Sequence, residues 1–112
     1  MSSNEEQEKE GDELKLLSEA IKDPALRSSV RILILISLAL NGHLSFTDLL
    51  SLTGLGKGSL SNHIEKLEES GLVKTKLVRT FRGYRMVVSI TPKGLEAYEE
   101  FMKLLSKIGE RK

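Results

Sequence analysis

The chain of 112 residues contains no cysteine and no tryptophan, only two prolines, and two histidines. Without cysteine there is no disulfide and no thiolate metal site. Two histidines, His43 and His63, far apart in sequence, make no convincing metal set. The longest apolar run, Ile32 to Leu40, is interrupted by Ser37 and spans about half of the roughly 20 residues a membrane helix needs. The N-terminus is acidic and polar, which is unlike a secretory signal. No Ser/His/Asp ordering has support. The stretch Gly54-Leu55-Gly56-Lys57-Gly58-Ser59 holds glycine and lysine without the spacing of a phosphate loop. These absences argue against an enzyme, a cofactor and a membrane partner. They favour a disulfide-free protein of the cytoplasm.

A further absence is local. Basic and acidic residues nearly cancel, 17 against 16, but they are segregated. Residues 1–13 carry six acids (Glu5, Glu6, Glu8, Glu10, Asp12, Glu13) and one Lys. Residues 72–93 carry Lys74, Lys76, Arg79, Arg82, Arg85 and Lys93 with no acid at all. A basic segment of this kind is a footprint for a polyanion.

The apolar pattern supplies the elements. Residues 1–13 lack apolar periodicity and are expected to be a disordered acidic tail. Leu14, Leu17 and Ile21, with Ala20, recur at helical spacing, so a short helix is expected over 14–22. Asp23-Pro24 is a cap-then-proline start, predicting a central helix over about 24–41. A few strand residues are plausible at 43–46. Ser45 then caps a helix over about 46–53, with Asp48 in place of the Glu or Gln of a strict capping box. A turn at Gly54-Leu55-Gly56 leads to a helix over 57–70, burying Leu60, Ile64 and Leu67. Two strands are expected at 72–78 and 84–90 around a loop at 79–83. Thr91-Pro92 starts a last helix that runs to about Ile108. The fold class that follows is mainly α with a small antiparallel β-hairpin (α+β). A winged helix-turn-helix with extra N- and C-terminal helices is expected, with residues 14–112 as one DNA-binding domain whose terminal helices are candidates for dimerisation.

The helix over 57–70 carries the chemistry. Lys57, Gly58, Ser59, Ser61, Asn62 and Lys66 are its candidate contacts; the N-terminal half is small, polar and free of acids, while Glu65, Glu68 and Glu69 crowd the C-terminal half. Such side chains hydrogen-bond base edges or phosphates, and the helix N-terminus favours an anion. The plainer alternative is a solvated helix face. Arg79, Thr80, Arg82 and Arg85 are the candidate contacts of the hairpin. Phe81 and Tyr84 suit either DNA sugars or packing on the hairpin, with packing expected. His63, on the inner edge of its helix, invites a metal or pH-sensor reading, but a partly buried structural histidine bonded to the neighbouring helix or to backbone is expected. Leu95, Tyr98, Met102 and Leu105 form a 3-4-3 stripe that Phe101, Leu104 and Ile108 widen. One use of it is docking on the core; since the small domain closes its own core, with Leu14, Leu17 and Ile21 it is expected instead to face a second copy of the chain.

The run Phe46-x-x-Leu49, Gly54-Leu55, Gly58-x-Leu60-Ser61-x-His63-Ile64-x-x-Leu67-Glu68-x-x-Gly71-Leu72-Val73 and Ile90-Thr91-Pro92-Lys93-Gly94 resembles the winged-helix transcriptional regulators of the MarR/ArsR type. The resemblance spans about residues 24–100. It implies a homodimer on double-stranded operator DNA, with helix 57–70 in the major groove and the 79–83 loop on backbone or minor groove. It leaves any small-molecule effector unknown. Gly56 stands where the family usually has a capping Ser or Thr. The segment from Pro24 to Leu33 is about one helical turn longer than the usual ArsR opening. The ArsR metal-binding cysteines are absent. A protein-docking winged-helix module of the transcription machinery is the alternative from another class. An RNA or general chromatin binder is a weaker third.

Overall fold

The computed structural model describes the backbone of residues 2–110 and the side chains of residues 11–110. In chain order it has α1 (Ser2–Ala20), a 3-10 turn (Pro24–Leu26), α2 (Ser29–Asn41), β1 (His43–Ser45), α3 (Phe46–Thr53), α4 (Lys57–Glu69), β2 (Val73–Thr80), β3 (Gly83–Ile90) and α5 (Pro92–Gly109). The mainly-α class with a small antiparallel sheet is therefore correct. The few strand residues allowed at 43–46 form β1, a third strand beside the hairpin, and the order is β1-β3-β2. Arg111 and Lys112 of the expected domain lie outside the described residues.

α2 is the centre. Its Ile34, Leu35 and Leu38 meet Leu49 of α3, Leu60, Ile64 and Leu67 of α4, and Leu72, Val73 and Val88 of the sheet base in one core. The i, i+4, i+7 stripe of α4 is buried as its spacing requires.

Three boundaries and one helix cap differ from the sequence pattern. The acidic segment 1–13, where disorder is expected, is helical from Ser2. Glu, Gln and Lys are good helix formers and acids suit a helix start, so a missing apolar stripe does not forbid a helix. The expected helix 24–41 is broken. Asp23 caps the 3-10 turn through Ala25 N–H (3.0 Å), and Ser28 restarts the helix by accepting from Arg31 N–H (3.4 Å). The carbonyls of Pro24 and Ala25 are turned to the Arg31 side chain instead of to a continuing helix. Asp48 does close a capping box: it accepts from Ser45 N–H (3.3 Å) while Ser45 Oγ accepts from Asp48 N–H (3.0 Å). Last, the 79–83 loop shrinks to the two residues Phe81 and Arg82, because Thr80 pairs with Gly83. Gly83 has φ +117°, a value open to glycine alone at little cost. Thr80 Oγ1 donates to Gly83 O (2.9 Å) and accepts from Arg82 N–H (3.3 Å), which fixes the turn.

α5 is stitched to the end of α4. Thr91 N–H donates to Leu72 O (3.1 Å), Thr91 Oγ1 to Gly71 O (2.6 Å), and Lys93 Nζ to Ser70 O (2.9 Å). α1 packs along α5 of the same chain. Its Ala20 end lies beside Ala97 and Glu100, around an open hollow of about 320 Å³ that Leu26, Lys93 and Glu96 also line.

Candidate nucleic-acid interface

Lys57, Gly58, Ser59, Ser61, Asn62 and Lys66 are all exposed on α4. No hydrogen bond among the described residues ties their side chains to the body. Gly56 caps α4 without a side-chain bond, so the first amide groups of the helix stay open toward solvent. One detail differs from the sequence expectation of a single reading face. At 3.6 residues per turn, Ser59 and Ser61 lie roughly 160° apart around the helix, with Asn62 between them. Ser61 sits on the side of the sheet, in a cleft of about 160 Å³ with Phe46, Ile64, Glu65, Glu68, Thr75 and Met86. Ser59 and Lys66 lie toward the opposite flank, and Asn62 is central.

The acids at the far end of α4 are not equivalent. Glu68 accepts from Thr75 N–H (3.1 Å) and Thr75 Oγ1 (2.9 Å), so it ties α4 to β2. Glu65 and Glu69 are exposed.

The basic segment divides over two faces of the hairpin. Side chains alternate along a strand. The register pairs Thr75 with Val88, Leu77 with Met86 and Arg79 with Tyr84, which places Arg79 on the α4 side. Lys74, Lys76, Thr80 and Arg85 fall on the other side. There Arg85 lines a hollow with Ser45 and Asp48. The Asp48 carboxyl is held below its ordinary range, chiefly by the Ser45 hydroxyl and amide and to a smaller extent by the Arg85 charge. Arg85 thus has an acid in view that the local sequence does not show. Lys93 is spent on the Ser70 carbonyl. Arg79 and Arg82 are left as the cations nearest the tip on the α4 side and at the turn.

The aromatics are not packed as expected. Phe81 is 94% exposed and Tyr84 73%. The Arg82 guanidinium lies over the Phe81 ring at 5.5 Å. A two-residue turn carries its side chains beyond the sheet, so no body surface is within reach of Phe81.

Behind α4 lies a buried polar centre built around Arg31. Arg31 is 7% exposed and donates from Nε to Ala25 O (2.7 Å), from one terminal nitrogen to Pro24 O (2.9 Å), and from the other to His63 Nδ1 (3.0 Å). The structural bond expected of His63 is this one. Beside it Ser70 Oγ donates to Asp23 Oδ1 (3.0 Å). A lone arginine in the apolar stretch 30–40 was the available signal.

The terminal stripe is split. Leu95, Met102 and Leu105 of α5 are each 39% exposed, while Tyr98 packs against the core. Leu104 is buried, with Phe101 and Ile108 half-buried. On α1, Leu14 is exposed, Leu17 is half-buried, and Ile21 just beyond it is half-buried. Among the described residues no cluster of His, Cys, Asp and Glu suits a metal, and no helix is long and apolar enough to cross a membrane.

The sequence family described as "winged helix DNA-binding domain" matches residues 30–108. A transcriptional regulator homologue from Pyrococcus horikoshii OT3 is 34% identical, with 86% of this chain and 95% of that one covered at a TM-score of 0.75. The MepR protein of S. aureus, solved in complex with DNA, is 18% identical over 98% of this chain and 83% of its own, at a TM-score of 0.68. A protein of Enterococcus faecalis V583 assigned to the MarR family is 20% identical, covering 83% and 81%, at a TM-score of 0.68. No curated protein sequence matches the chain.

Proposed function

The chain belongs to the winged helix DNA-binding family, with a MarR-like fold, and on that premise we propose that it is a sequence-specific transcriptional regulator acting as a homodimer on double-stranded DNA. The observation that carries this is the state of α4. Its buried stripe holds it rigidly to the core, while Lys57, Gly58, Ser59, Ser61, Asn62 and Lys66 owe nothing to the body. A rigid helix with unengaged polar side chains beside an open N-terminus fits the major groove. In this reading Asn62 faces the base edges, with Ser59 and Ser61 reaching the two walls of the groove. Arg79, Thr80 and Arg82 meet backbone or minor groove, and Arg85 contributes at longer range.

The homodimer would use the exposed Leu95, Met102 and Leu105 of α5 with Leu14 of α1, and Leu17, Ile21, Tyr98 and Ile108 would support them from beneath. The protein would act in the cytoplasm, without catalysis, metal or cofactor. A protein-docking module is the second reading. It is favoured by one observation, the apolar exposure of Leu77, Phe81 and Tyr84 on the hairpin.

Asn62→Ala discriminates between them. On the best duplex it should cost about 1–3 kcal/mol, and on random DNA much less, because a lost base contact is sequence-dependent. Equal losses on both would reduce Asn62 to a backbone contact. No effect on either would favour the docking module.

A further inference from the structure

Arg31 and His63 form a pair whose chemistry is not exhausted by holding the fold. A buried guanidinium ordinarily finds a carboxylate. Arg31 instead has two carbonyls and an imidazole. The nearby acid, Asp23, is occupied by Ala25 N–H and Ser70 Oγ. The guanidinium has only hydrogens to offer, so the imidazole must accept at Nδ1. A neutral imidazole that accepts at Nδ1 carries its hydrogen on Nε2. Burial, and then the charges of Arg31 and Lys66, lower the His63 pKa and keep the ring neutral.

His63 is only half-buried, and its Nε2 is neither bonded to protein nor sealed from solvent. Nε2–H is a donor left open at the protein surface. It is polarised from behind by a cation. Ser59, His63 and Lys66 fall at i, i+4 and i+7, one stripe along the flank of α4 opposite the sheet. That stripe holds a hydroxyl, an N–H and an ammonium, with no acid among them. Such a set recognises a phosphodiester.

We infer that His63 is a phosphate contact of the recognition helix, with Arg31 as the positioning residue that fixes Nε2–H toward a backbone phosphate of duplex DNA. The inference rests on the DNA-binding reading above and adds to it a contact that α4 makes outside the base edges. It also gives the buried Arg31 a role in binding as well as in packing.

The test separates the two nitrogens. Asn places an amide near Nδ1, and Gln near Nε2. His63→Asn keeps a partner for Arg31 and loses the outward donor. It should melt as the wild type does and lose about tenfold in affinity on every duplex, the size of a hydrogen bond to a charged group. His63→Gln restores the outward donor and should recover most of that loss. Methylphosphonate substitution, one phosphate at a time, should find one position per half-site that weakens wild type and leaves His63→Asn unchanged. Imidazole ¹⁵N NMR of the free protein should show Nε2 protonated and Nδ1 bare. The inference is overturned if His63→Asn binds as tightly as wild type, if no methylphosphonate distinguishes the two, or if Nδ1 carries the hydrogen. Wild type that binds no duplex would instead overturn the DNA-binding reading itself.

Discussion

Replacing Gly94 by Ala sets two physical effects against each other. Gly94 is a buried residue in the first turn of α5. Alanine is the better helix former, by about 1 kcal/mol, so propensity alone predicts stabilisation. Space predicts the opposite. A methyl at Gly94 would overlap the Leu72 carbonyl and stand 2.9 Å from Ile90 Cγ1. Leu72 O is backbone, held at the end of α4 and bonded to Thr91 N–H, so it cannot swing aside. α5 must move instead. That loosens the bonds from Thr91 N–H, Thr91 Oγ1 and Lys93 Nζ onto Leu72, Gly71 and Ser70. Overpacking costs about 1–3 kcal/mol, and the three weakened hydrogen bonds together roughly 2 kcal/mol. After the propensity gain the net is about 2–4 kcal/mol, a fall in Tm of about 10 °C or more for a domain of this size. Thermal and urea unfolding followed by circular dichroism measure it. A Gly94→Ala protein with unchanged or higher Tm would refute the claim that α5 is seated on the α4 terminus by this contact.

Three other outcomes are expected. Met102→Glu with Leu105→Glu should give a folded monomer in sedimentation velocity, with operator affinity reduced about 10²-fold or more as two half-sites cease to be linked; a wild type that is itself monomeric would contradict the interface. Arg82→Gln should weaken binding to all duplexes and reduce the magnitude of the log K against log[salt] slope by about 1, and an unchanged slope would remove the turn from the DNA contacts. His63, lowered from 6.5 in the folded protein, should make stability depend on pH in one direction: the unfolded chain takes up the proton first, so stability is full above 6.5 and declines as pH falls below it, until folded His63 itself protonates. His63→Gln should flatten that part of the curve in urea melts, and an unaltered pH dependence would contradict the lowering of the His63 pKa by burial and by the charges of Arg31 and Lys66.

Residue spacing carried the fold further than the site. Leu60, Ile64 and Leu67 announced α4 and its buried side, and Ser45, Thr91 and Pro92 marked real helix starts. The same spacing, counted at 3.6 residues per turn, would also have separated Ser59 from Ser61, which composition alone had grouped. What lay beyond the sequence was contact between distant segments. Asp48 reaching the surroundings of Arg85, Glu68 holding Thr75, and Arg31 reaching across to His63 are products of packing. The helix break at residues 27–28 is of the same kind, because Arg31 collects the carbonyls that a longer α2 would have used. Phe81 was misjudged for a geometric reason: the turn is two residues long and carries its ring away from every surface it might have covered.

Selection of bound sites from random duplexes, followed by sequencing, tests the central claim most directly. A homodimer reading sequence through Asn62 and its neighbours predicts an enriched inverted repeat, its half-sites separated by about one helical turn of DNA or a multiple of it. Bound duplexes with no enriched motif, or no retained duplex at all, would contradict it.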